Sequence, residues 1–177
     1  MSQTQIVFSV ENVLESVKIV AELYPDLRLN GLYYYFPFTD EQLHAKEYVK
    51  EQIKHDSRKI DIKSAAKELV QFWNNNKKQI QTALDILRNE GKIILSVYKC
   101  NLTFYGSYGY YYAPDTLFLN VSKGNSEFWS ETFLHELLHL VLYNEILSLP
   151  YNESEVIVDK IFIRLFGSMF PNYQKQF

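Results

Sequence analysis

The chain has 177 residues, 47% apolar and 22% charged, with a net charge of −3 at neutral pH. This length and balance predict one folded domain with a real core, and 14 tyrosines and 12 phenylalanines exclude a disordered chain. Charge near neutrality without a basic stripe predicts no nucleic-acid partner. No uninterrupted apolar run reaches the roughly 18 residues that would span a bilayer.

The first residues, MSQTQIVFSVENV, lack a basic start and a long apolar stretch, which predicts no signal peptide and a cytoplasmic setting with no membrane partner. Cys100 is the single cysteine, so no disulfide forms within one chain. Val10, Val13, Leu14, Val17, Val20 and Ala21 recur at helical spacing behind Ser9, and Pro25 is expected to end that helix. The aromatic stretch RLNGLYYYFPF (28–38) reads as a strand or an extended arm. Thr39 and Gln42 resemble a capping box that opens a polar helix to about His55. From about Ile62 to Glu90, Ala66, Leu69, Val70, Trp73, Ile80, Leu84 and Leu87 share a stripe, and Gly91 fits the stop. Asn74, Asn75 and Asn76 mark a candidate bend.

The period then changes. Residues 92–106 read as one strand or two, and YYYA and TLFLNVS read as two strands joined through Pro114–Asp115. Asn125 or Ser126 caps a helix to about Leu147, with Glu127 suited to its positive end. A last helix runs from near Asn152 to near Gly167. Helices, then a small sheet, then two helices predict an α+β domain.

The helix after Asn125 carries apolar residues in nearly every direction, which is the pattern of a buried helix. Yet it holds His135, Glu136 and His139. Burying an unpaired polar group costs about 2–7 kcal/mol, so these three need partners. His135 and His139 sit one turn apart on one face, and both imidazoles can reach one cation at about 2.0–2.1 Å. Glu136 points about 100° away, where it can meet a water on that cation; the spacing is HExxH. A catalytic zinc takes three protein ligands. Glu155, on the next helix, is the candidate third, although Asn152 with Glu155 also fits a capping pattern, and Glu153 is the alternative ligand. Asp159, one turn beyond Glu155, either orients a ligand histidine through its second N–H or pairs with Arg164 or Lys160. His44 and His55 read as surface residues and Cys100 as a small core residue.

HELLH followed by ESEVIVD resembles the zincin metallopeptidases of the gluzincin branch. The short spacing is similar to the minigluzincins, with ImmA/IrrE-type peptidases as a second choice. The resemblance covers about residues 62–167. It implies a zincin-like domain at 61–177, after a helical N-terminal extension at 1–60. That domain would have a backing helix, a small mixed sheet, an active-site helix and a glutamate helix. It implies Zn2+ bound by His135, His139 and Glu155, with Glu136 as general base and Asp159 orienting a ligand histidine. It also implies a peptide or protein substrate added as a strand at the sheet edge. Tyr143 is a candidate oxyanion donor, with Tyr111, Tyr112 and Tyr151 as others. The implied activity is a zinc peptidase, latent if MFPNYQKQF or RLNGLYYYFPF lies across the cleft. The alternative is a zinc-binding regulatory or interaction module with little or no proteolysis.

Overall fold

The computed structural model describes residues 4–29 and 35–175. Among them the chain is mixed α and β, with seven helices and a four-stranded mixed sheet, compatible with an α+β domain. The elements in chain order are β1 (Gln5–Ser9), α1 (Val13–Leu29), α2 (Asp40–His44), α3 (Lys46–Asp56) and α4 (Ile62–Asn89). They continue as β2 (Val97–Thr103), β3 (Gly109–Tyr112), β4 (Thr116–Asn120), α5 (Ser126–Val141), α6 (Tyr143–Ile146) and α7 (Tyr151–Phe166). No helix among the described residues is long and apolar enough to cross a membrane.

The sheet order is β1-β2-β4-β3. β1 pairs parallel to β2, β2 parallel to β4, and β3 antiparallel to β4. Side chains alternate across the two faces, as a strand period of two requires. Tyr98, Cys100, Leu102, Leu117 and Leu119 join the main core with residues of α4, α5 and α7. The opposite face meets α1: Asn12 Nδ2 donates to Asn101 Oδ1 at 3.0 Å, and the Ser16 and Thr103 hydroxyls lie 2.7 Å apart. The two central strands, β2 from Cys100 and β4 from Leu117, are therefore buried on both faces.

Several sequence expectations are corrected here. No strand is expected before residue 28, yet β1 completes the sheet from within the segment read as helical. α1 continues through Pro25 to Leu29. The polar helix expected after Thr39 is two helices broken at Ala45, although the Thr39–Gln42 capping box is present. α4 runs unbroken past Asn74–Asn76, and its buried stripe uses Ala65 and Ala83, while Val70 is 41% exposed. The aromatic stretch 28–38 falls partly on residues 30–34, which lie outside the described residues; Tyr35 bridges Gly106.

Gly124 turns the chain out of β4 with φ +86°, a conformation that favours glycine. Asn125 then caps α5, its Oδ1 accepting from the Phe128 N–H at 3.0 Å. α5 crosses β3 and β4 and packs against α4 and α7. Phe133, Leu134, Leu137 and Leu138 are each at most 1% exposed, and each contributes about 1.5–3 kcal/mol of burial. That is enough to hold α5 inside provided its three polar side chains do not stand unpaired.

Candidate functional site

Helical spacing on α5 puts His135 and His139 on one face, and both are buried, 2% and 3% exposed. α7 starts at Tyr151, directly after Pro150, and brings Glu155 against them, 3% exposed. His135 Nε2 lies 3.1 Å from Glu155 Oε2, and His139 Nε2 lies 3.2 Å from Glu155 Oε1. The two imidazole Nε2 atoms are 3.1 Å apart. Ligand atoms at the corners of a tetrahedron with bonds of about 2.0 Å stand about 3.3 Å from one another. The three groups thus have the spacing that a single tetrahedral cation requires, and together they form a cluster able to hold a metal ion.

Their electrostatics agree. Burial pushes the Glu155 carboxyl up, but hydrogen bonds and charge from His135 and His139 outweigh it and hold the pKa at about 2. Burial pushes the His135 imidazole down, and the hydrogen bond to Glu155 with the charges of Glu136, Glu155 and Asp159 raises it above its ordinary value. His139 stacks on Tyr111 at 4.7 Å and 11°, and its Nδ1 is buried without a hydrogen-bond partner among the described residues.

Glu136 is 7% exposed and faces a cleft of about 960 Å³. Burial raises its pKa, against the opposing influence of His139 and His135. The cleft is aromatic, walled by Tyr108, Tyr111, Phe128, Tyr143 and Tyr151, and its acids are Glu131, Glu136 and Glu155. β3, at the edge of the sheet, forms one rim.

β3 approaches α5 so closely because Gly109 has no side chain. A Cβ there would lie 2.7 Å from both Glu136 Cγ and Thr132 Cγ2, and 2.8 Å from Glu136 Oε1. Gly109→Ala is expected to displace the Glu136 carboxylate, at a cost of about 1–3 kcal/mol in stability. If Glu136 acts on a substrate, turnover should drop at least tenfold while metal content stays constant, measured by steady-state kinetics beside metal analysis. Unchanged turnover would show that the contact does not position Glu136.

The remaining sequence candidates are distributed as follows. Glu153 is exposed, so it does not reach the cluster. The capping alternative for Glu155 is corrected: Pro150 occupies the cap position of α7 without a side-chain bond, and Asn152 is exposed. Asp159 is 1% exposed and lies 4.0 Å from His135 Nδ1. It does not pair with Arg164, which binds Glu90 through two 2.8 Å contacts. Tyr143 opens α6 rather than continuing α5, and still lines the cleft, its ring 6.3 Å from Tyr111. Tyr112 is 53% exposed on the same rim. His44 and His55 are exposed, and Cys100 is buried in the core.

Two participants were not foreseen. Gly109 gives no local sign of its role, because a glycine needed for close approach looks like any strand or turn glycine. Tyr173 lies in MFPNYQKQF, expected only as a cover over the cleft, and its hydroxyl lies 2.8 Å from His135 Nδ1. Comparison with protein-family models, with curated proteins and with solved structures finds no match.

Proposed function

We propose that this chain is a zinc-dependent peptidase of zincin type, nearest in pattern to the gluzincin branch and its minigluzincins. The observation that carries the reading is the convergence of two Nε2 atoms and one carboxylate at 3.1–3.2 Å, beside a buried glutamate facing a cleft. His135, His139 and Glu155 would hold the ion, which supplies a Lewis acid and lowers the pKa of its water to about 7.

Glu136 supplies the base. Its carboxylate takes a proton from the attacking water and returns it to the leaving amine. Burial raises its pKa above the ordinary carboxyl value, which makes it a stronger base than an exposed glutamate. β3, the edge strand among the described residues, would accept a peptide as an added strand, so that main-chain hydrogen bonds align the scissile bond. The cleft tyrosines supply candidate donors to the oxyanion. Tyr143 lines the cleft, and Tyr111 and Tyr151 lie within the fields of both Glu136 and Glu155, which add to burial in raising their pKa values.

The test is metal analysis of protein purified without added zinc, followed by incubation with a peptide mixture. The expected result is one zinc per chain, with cleavage that stops on chelation and returns on adding zinc. Absence of zinc overturns the reading. Bound zinc without cleavage moves the chain to the regulatory module.

A further inference from the structure

We infer that Tyr173, in the segment after α7, is a positioning residue for the metal site: its hydroxyl bridges Asp159 and His135 and fixes which imidazole nitrogen faces the metal. The inference rests on the zinc reading of His135, His139 and Glu155.

The tail is anchored before it reaches the site. Phe170 is 3% exposed and packs on Phe72 and Phe162. The Tyr173 N–H bonds back to the Phe170 carbonyl at 3.1 Å. The Tyr173 ring then stacks on Phe162 at 4.1 Å and 20°. These contacts leave the phenol little freedom, and its oxygen meets both Asp159 Oδ1 and His135 Nδ1.

Proton counting assigns the roles. A phenol has one proton to give and lone pairs to receive with. Tyr173 gives its proton to the Asp159 carboxylate. Its oxygen must then accept from His135 Nδ1–H across 2.8 Å. A neutral imidazole protonated at Nδ1 carries its lone pair on Nε2, the atom that faces Glu155 and His139. Asp159, 4.0 Å from His135 Nδ1, thereby acts on the ring through a phenol. His139 has no equivalent: its Nδ1 lacks a partner among the described residues. The two histidines are therefore unequal, and the orientation of His135 depends on a residue outside both helices.

This assignment also separates two uses of the tail. Asn172, Tyr173 and Gln174 line the cleft. A tail that only blocks substrate would make removal of the Tyr173 hydroxyl neutral or activating. A tail that orients His135 makes the same change weaken metal binding.

The test compares full-length wild type with Tyr173→Phe, which keeps the ring on Phe162 and removes only the hydroxyl. Zinc affinity is measured by competition with a chromophoric chelator, and the melting of the metal-free proteins is recorded beside it. Loss of such an outer partner weakens metal binding about 10–100-fold. That loss is expected with an unchanged fold, judged by circular dichroism. The His135 Nδ1–H proton resonance of the zinc-loaded proteins gives a second readout. In wild type that proton, held against the Tyr173 oxygen, should be protected from solvent exchange, and the variant should lose that protection. Zinc affinity within twofold of wild type, or an Nδ1–H exchange rate unchanged in the variant, overturns the inference while leaving the zinc reading intact. A wild type that binds no zinc removes both.

Discussion

Glu136→Gln is expected to abolish peptide cleavage while zinc stays bound. A general base contributes about 10²–10⁴-fold, so kcat/KM should fall by at least about a hundredfold on that scale. Glutamine keeps the size of the side chain, which matters because Gly109 and Thr132 leave no spare room beside it. Metal content should not change, since the converging atoms belong to His135, His139 and Glu155. The measurement is steady-state cleavage of one identified peptide, with metal determined on the same sample. Wild-type turnover in the variant would remove Glu136 from the chemistry.

Glu155→Gln should act on metal and fold together. Zinc binding should fall below detection, because one of three ligands loses its charge. The metal-free protein should also lose stability, since breaking a buried ion pair costs about 3–5 kcal/mol. Its pH dependence identifies the pair. Glu155 has a folded pKa of about 2 against an ordinary 4.5, so its contribution is complete above 4.5 and drains away as pH falls toward 2. His135 works in the other direction: its folded value is raised above 6.5, so its contribution is complete below 6.5 and is lost as pH climbs through the folded value. Thermal melts with a chelator should therefore show a plateau between two falling limbs. In Glu155→Gln both limbs should flatten, whereas Glu153→Gln, altering an exposed neighbour, should leave them in place. A Glu155→Gln profile that matches wild type would show that the pair does not stabilise the chain.

The legible parts of this molecule are those written in local periodicity. An apolar helix interrupted by His135, Glu136 and His139 announces both its burial and its need for partners, and α5 is buried as that pattern requires. The spacing between His139 and Glu155 announced a neighbouring helix, and α7 supplies it. The turn signals around Asn125 and Pro114 also found their places.

What escaped the sequence depends on distant neighbours. β1 is five residues long, and among the described residues it pairs with β2 alone, so nothing nearby marks it as a strand. The α4 stripe was misplaced at Val70 because the sheet and α5 decide which flank is covered. Tyr173 needed Phe162 and Phe170 to hold it, contacts that no spacing rule anticipates. Gly109 matters through the side chain it lacks, which becomes visible only once α5 lies beside β3.

The parallel pairing of β1 with β2 has a consequence for how the molecule is made. Gln5 stands opposite Val97, and joining positions about ninety residues apart costs about 4 kcal/mol of loop-closure entropy. A ribosome delivers β1 first and its mate only after α4 has emerged. During that interval the nascent segment carries a row of unsatisfied amides and carbonyls, the kind of edge that recruits foreign strands. Its brevity, five residues, limits what such an encounter can gain.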